Sequence, residues 1–256
     1  MSASPALDPF YRLVRLGETA STNDDARRLA AEGSPEGALV WAERQNAGRG
    51  RRGRRWESPP GNLYMSILLR PSVPLMQAGQ IGFLAALAIA ESCAALLPHR
   101  AVACKWPNDV LIAGKKVAGL LLESEAQADG TVDWLVLGLG VNVASHPEGM
   151  EFPATSLAAE GANATVENVM AGVANAFAGW YRRWRAEGFA PVRAAWLDRA
   201  AGVGGPVRVR FETRTEAGVF AGLDADGALL LHRPSEGAPI RVTAGDLFFP
   251  AASQRA

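Results

Sequence analysis

Between Met76 and Leu97 the chain carries a single charged residue, Glu91. Its apolar residues recur at helical spacing, and a helix with almost no polar face belongs inside a fold. The longest apolar run, Ile81 to Ala90, is interrupted by Gly82 and ends at Glu91, which is too short to span a bilayer. Short apolar runs bounded by Gly, Pro and Asn lie on either side of this helix and read as strands. The pattern predicts an α+β fold with a mixed, mainly antiparallel sheet and flanking helices.

The other elements follow from local signals. Phe10 to Leu16, Ala38 to Glu43 and Asn62 to Leu69 read as strands. Ser21-Thr22-Asn23-Asp24-Asp25 opens a helix that runs to Ala31, with Ser or Thr at its N-cap and acidic residues in its first turn. Ala101 to Trp106 is a strand stopped by Pro107-Asn108. Val110 to Ile112 and Val117 to Leu122 form a hairpin about Ala113-Gly114, and Val132 to Val143 is a further strand. Residues 146–161 read as loop, Val166 to Glu187 as an amphipathic helix, and Pro191 to Arg199 as its continuation. From about Gly204 the pattern changes to short strands split by Gly, Asp and Pro, with a hairpin turn at Asp226-Gly227. The expected division is residues 1–203 as one domain and 204–256 as a small β-barrel module.

Formal net charge is zero, which argues against non-specific nucleic-acid binding by the chain as a whole. Two cysteines make no disulfide framework, and the first 15 residues lack the apolar run of a signal peptide. A cytoplasmic enzyme is the expectation. Of the 26 basic residues only three are lysine: Lys105, Lys115 and Lys116. Their confinement to one short window, in a chain otherwise using arginine, suggests a place where a compact ammonium fits and a broad guanidinium does not.

Gly48-Arg49-Gly50-Arg51-Arg52-Gly53 matches the spacing G-x-G-x-x-G, but Arg55-Trp56-Glu57-Ser58-Pro59-Pro60-Gly61 follows and denies the helix that a dinucleotide site requires. The segment reads instead as a loop with five arginines in seven residues, expected to lack order until an anion arrives. Its arginines offer forked donors for phosphate or carboxylate, and Trp56 offers a ring to stack a base. A solvated basic loop or a nucleic-acid contact is the alternative. Lys105-Trp106-Pro107-Asn108-Asp109 puts a cation, a ring, a rigid turn and a carboxylate at one strand end, either as a site or as an ordinary turn; Asp109 is a candidate to support Mg²⁺. Lys115 and Lys116 follow a glycine turn, the usual place for a solubilising lysine. Gly138 and Gly140 interrupt an apolar strand, which marks close approach of a ligand or of a packed neighbour. Neither cysteine is a credible nucleophile, the three histidines have no metal-ligand spacing, and no Walker A sequence is present.

In order along the chain, Ser21-Thr22-Asn23, Gln45-Asn46-Ala47 leading into Gly48 to Trp56, Lys105 to Asp109, Lys116-Val117-Ala118-Gly119 and Gly140-Val141-Asn142 closely resemble the catalytic core of biotin–protein ligases. The resemblance implies a core like that of class II aminoacyl-tRNA synthetases and an SH3-like C-terminal module. It implies activation of biotin by MgATP to biotinyl-5′-AMP, then transfer to a lysine of a biotin carboxyl carrier domain, in acetyl-CoA carboxylase. Carried over by position, Ser21, Thr22, Asn23 and Gln45 hold the biotin ring, with Gly48, Arg49, Gly50 and Arg51 from the loop. Lys116 sits between the biotin carboxylate and the phosphate, with Arg49 and Arg51 as its catalytic partners. Arg49, Arg51, Arg54 and Lys105 contact phosphates, Trp56 stacks on adenine and Asn142 lines the nucleotide pocket. Only about 20 residues precede Ser21, too few for the DNA-binding domain of family members that repress transcription, so no DNA partner is expected. Homodimers through paired sheet edges occur in such a family and are left open. A lipoate–protein ligase shares this chemistry, and a non-enzymatic nucleic-acid-binding protein would use the basic loop alone.

Overall fold

The computed structural model describes residues 6–233 and 237–250. The chain runs β1 (Arg12–Thr19), α1 (Thr22–Ala31), β2 (Ala38–Gln45), β3 (Leu63–Leu69), α2 (Leu75–Ala78), α3 (Gln80–Leu96), β4 (Val102–Lys105), β5 (Asp109–Ile112), β6 (Lys115–Ala126) and β7 (Val132–Val141). It continues through α4 (Val166–Glu187), α5 (Ala190–Asp198), β8 (Pro206–Arg210), β9 (Thr215–Leu223), β10 (Leu229–His232), β11 (Ile240–Val242) and β12 (Asp246–Phe248). Among the described residues the first seven strands form one sheet in the order β1-β2-β3-β7-β6-β5-β4. Only β1 and β2 pair in parallel, so the mainly antiparallel α+β architecture expected from the pattern is what the chain adopts.

The almost chargeless helix is α3. It lies in the main core with Ile81, Leu84, Leu87 and Ile89 fully buried, between the sheet and α4. The segment Leu75–Leu96 is long and apolar enough by composition to cross a membrane, but here it serves as the core helix. Burial inside protein satisfies its apolar surface as a bilayer would. The other face of the sheet takes α1, whose Ala26 and Ala30 pack on Val40, Leu68 and Val136. Small residues on α1 let it sit close to the strands, which keeps its first turn at the sheet surface. Helix α4 begins where Thr165 accepts a hydrogen bond from the Asn168 N–H (3.2 Å) and ends at Gly188, whose φ of 76° breaks it from α5.

Two differences from the expected strand pattern matter for the site. Lys105-Trp106-Pro107-Asn108-Asp109 is the turn of a hairpin, with Lys105 opposite Asp109, so β4, β5 and β6 form two successive hairpins. The C-terminal strands β8 to β12 form a second, five-stranded antiparallel sheet of the SH3-like type, including β11 and β12, which are only three residues each and carry little pattern of their own. The Asp226-Gly227 turn joins β9 and β10 as expected, Gly227 having a φ of 94°. The last six residues of the expected module, 251–256, lie outside the described residues.

Candidate active site

A cavity of about 440 Å³ opens where the N-terminus of α1, the arginine loop, the β4–β5 turn, the middle of β6 and β7 and the edge of the C-terminal sheet converge. Ser21, Thr22, Asn23, Gln45, Arg49, Gly50, Arg51, Arg54, Trp56, Lys105, Asp109, Lys116 and Asn142 all line it. They come from five segments, so the fold gathers nearly every residue singled out in the sequence. Gly48 is the exception among the residues assigned to the site. A Cβ there would sit 2.6 Å from both Ser58 Oγ and the Trp56 carbonyl oxygen, and the Trp56 N–H donates to the Gly48 carbonyl (2.9 Å). Gly48 therefore closes the base of the loop and is not among the cavity-lining residues.

The arginine loop is folded in this structure, unlike the unordered segment expected. Arg49 and Arg55 bridge its two arms, and Arg51–Gly53 makes a 3₁₀ turn with Arg52 at φ 57°. What offsets the crowding of like charges is a set of carboxylates far away in sequence. Both guanidinium nitrogens of Arg49 reach Asp24 (2.8 and 2.7 Å), and Arg52 (3.4 Å) and Arg54 reach Asp246 on β12. Arg51 differs: it donates to neutral acceptors, Asn108 Oδ1 and the Gly245 carbonyl (3.3 Å each), and burial lowers its pKa from the ordinary value. A half-buried cation with neutral partners favours an incoming anion.

The three lysines separate into two roles. Lys115 pairs with Glu160 (3.3 Å) at the hairpin tip, away from the cavity lining. Lys116 Nζ lies 2.6 Å from Asp109 Oδ1, and Lys105 Nζ lies 3.7 Å from Asp109 Oδ2. Lys105 is only 6% exposed and sits 3.5 Å from the centre of the Phe152 ring. Burial pushes its pKa down to about 8, partly offset by Asp109. Asp109 thus holds two ammonium groups. Among the described residues no cluster of three or more His, Cys, Asp or Glu side chains fits a metal ion. Asp109, expected as a candidate to support Mg²⁺, faces two ammonium groups in this structure.

Trp56 lies flat on paired strands. A Cβ at Gly140 would be 2.5 Å from its ring, and one at the opposite residue, Gly119, 3.0 Å. The close approach marked by Gly140 is that of Trp56. At Gly138 it is Asn23, whose Oδ1 would be 2.2 Å from an added Cβ. Ser21 occupies the α1 N-cap position as expected, and its side chain makes no capping bond. Asn142 is buried and donates to the Thr155 carbonyl (2.9 Å), tying the end of β7 to the segment that carries Phe152. Sequence reasoning missed Phe152, Asp246 and Phe248, because residues 146–161 read as loop and the last strands are too short for a pattern.

Comparison with known proteins agrees with this geometry. The Biotin/lipoate A/B protein ligase family matches residues 17–142, and the Biotin protein ligase C terminal domain matches 203–249. A biotin–[acetyl-CoA-carboxylase] ligase of Paracoccus denitrificans is 41% identical over 91% of this chain and 99% of its own length. The chain belongs to the biotin–protein ligases. The ligase is also 39% identical to the bifunctional ligase/repressor BirA of Bacillus subtilis, over 82% of this chain and 66% of that protein. Among solved structures, the biotin protein ligase of Aquifex aeolicus in complex with biotin and ATP superposes with a TM-score of 0.78 at 27% identity, covering 93% of the ligase and 97% of that chain. The arginine loop, the β4–β5 turn and Lys116 fall within the matched family segment.

Proposed function

We propose that the ligase joins biotin to a lysine of a biotin carboxyl carrier domain, that of acetyl-CoA carboxylase, in two steps within this one cavity. In the first, a carboxylate oxygen of biotin attacks the α-phosphorus of ATP. The bond from that phosphorus to the β-bridging oxygen breaks, giving biotinyl-5′-AMP and pyrophosphate. In the second, a neutral lysine amine of the carrier attacks the acyl carbon, AMP leaves with the bonding electrons, and the amine loses a proton as the amide forms. Mg²⁺ enters with the triphosphate as part of the substrate and neutralises phosphate charge there.

The observation that carries this reading is the convergence of Lys116, Lys105 and Arg51 on one cavity whose far wall is neutral and polar. Two anions repel, so the first step requires cations already fixed between them. Asp109 fixes Lys116 and Lys105 before either substrate arrives. We assign Lys116 to the space between carboxylate and α-phosphate, with Arg49 and Arg51 completing the catalytic cations. Arg49, Arg51, Arg54 and Lys105 take the phosphates. Trp56 and Asn142 border the nucleotide. Ser21, Thr22, Asn23 and Gln45 form the wall for the biotin ring, with Gly50 of the loop backbone. The residues from 204 onward act as a module that completes the cavity through Asp246 and Phe248. We place the reaction in the cytoplasm, with no DNA partner.

Exchange of labelled pyrophosphate into ATP tests the reading. Exchange that depends on biotin is the expected result. Exchange with lipoate instead moves the substrate assignment, and exchange with neither acid removes the proposed activity.

A further inference from the structure

The connection from β7 to α4 borders the cavity, and its crest is held by the C-terminal sheet. Pro147, Met150, Glu151 and Phe152 line the cavity from this segment. Its two ends are pinned to the catalytic core. At the start, Asn62 Oδ1 accepts from the N–H groups of Val143, Ala144 and Ser145 (2.8, 2.9 and 3.1 Å). At the finish, the Lys116 N–H donates to the Pro153 carbonyl (2.7 Å) and the Thr155 N–H to the Lys116 carbonyl (2.9 Å). Between these anchors, residues 147–152 have one hydrogen-bonding partner among the described residues. It is Arg210 on β8, whose two terminal nitrogens donate to the two carboxylate oxygens of Glu151 (2.7 and 2.9 Å).

Other contacts on the C-terminal sheet hold Arg210 in position. Its guanidinium lies 4.5 Å from the centre of the Phe248 ring and 3.8 Å from Asp246. Phe152, the neighbour of Glu151, places its ring 3.5 Å from the Lys105 ammonium, and the Phe248 ring faces the same ammonium at 5.7 Å. The segment and the C-terminal sheet therefore each set a ring against the cation assigned to phosphate, and Arg210 ties the two together.

The strength of that tie is informative. A forked arginine–carboxylate pair is geometrically specific. Both side chains are exposed, however, at 39% and 64%. An exposed ion pair changes an equilibrium by about fivefold at most. Such a contact suits a segment that opens once in every turnover. The mixed anhydride has to be kept from escape and from water until the carrier arrives, yet the carrier lysine must then reach its acyl carbon.

We propose that Arg210 and Glu151 form a clasp between the two modules, which holds residues 147–152 closed and retains biotinyl-5′-AMP between the two steps. Arg210 is a positioning residue that acts through Glu151. The inference rests on the biotin assignment and gives the C-terminal module a task in the reaction.

The test follows labelled biotinyl-5′-AMP, formed on the full-length ligase without carrier, as an excess of the unlabelled adenylate displaces it. Glu151→Gln removes the charge and leaves Arg210 on Phe248 and Asp246. Release should quicken about fivefold at low salt. Arg210→Met should act in the same direction, and the double variant should be no faster than the faster single one, since both lose one contact. Raising the ionic strength should narrow the gap between Glu151→Gln and the unaltered ligase. Unchanged release in Glu151→Gln, whatever its Tm, overturns the proposal, as do additive effects in the double variant or a gap that salt does not narrow. Failure of the biotin assignment itself would appear differently, as no biotin-dependent exchange in the unaltered ligase.

Discussion

Lys116 and Lys105 share one carboxylate but differ in burial, and the difference predicts different behaviour. Lys116 lies close under Trp56 and against Gly119, where a longer, planar guanidinium does not fit the same space. Lys116→Ala should lower the rate of adenylate formation by roughly 10² to 10³, the loss of one preorganised charge, and Lys116→Arg should not restore it. Near-normal single-turnover adenylate formation by Lys116→Arg would refute the assignment. Lys105 carries a pH dependence. Its pKa of about 8 lies below the usual value near 10.4, so across that interval the folded chain holds fewer protons than the unfolded one. The lysine contribution to stability therefore improves as pH rises through the window, while the cation available to a phosphate disappears. For the free enzyme, kcat/KM for ATP should fall above pH 8, and Lys105→Arg should flatten that limb even if it lowers the plateau. The clustering of the three lysines was visible in the sequence. Their division was not, because Glu160, the partner that draws Lys115 aside, is 45 residues away and becomes a neighbour only through the fold.

Strands β6 and β7 are where apolar pattern and site geometry meet. The pattern located both, and it marked Gly138 and Gly140 as sites of close approach. It left the approaching groups open, since a missing Cβ records a space and not its occupant. The structure fills those spaces with Trp56 and Asn23, which reach the sheet from opposite sides of the Ser21 to Trp56 segment. Gly140→Ala should therefore displace the Trp56 ring and lower activity at least tenfold, an effect of the kind produced by a 1 Å misplacement. Gly119→Ala, with its longer approach, should be milder. Tryptophan fluorescence of the two variants checks the order, and equal spectra with unequal activity would contradict it. Helices α3 and α4 were the most legible elements because their length gives periodicity several turns to show. The shortest strands and the Lys105–Asp109 hairpin were less so: three or four residues carry no period, and a Pro-Asn turn signal does not say which strand lies across it.

At the scale of the whole molecule, the C-terminal sheet is set into the catalytic core. The Trp106 indole N–H donates to the Gly227 carbonyl (3.3 Å), a Cβ on Gly227 would meet the Phe83 ring at 2.7 Å, and Arg193 donates to the Leu223 and Asp224 carbonyls (2.9 Å each). Calorimetry should show one cooperative unfolding transition, and a chain ending at residue 203 should lose stability by several kcal/mol because Trp106 and Phe83 become exposed. Two separate transitions would refute this coupling. The partnership of Asp24 and Asp246 with the arginine loop is another property of the assembled fold, for neither acid lies in the loop and one is some two hundred positions away. It changes what nucleotide capture means energetically. A phosphate that draws Arg49 or Arg54 must take the place of a carboxylate already there, so binding is an exchange of anions and the net gain is a difference between two ion pairs. Such a site sacrifices tightness, and when pyrophosphate departs the two aspartates are already in place to reclaim the arginines. The loop therefore has a defined set of partners to return to after every turnover.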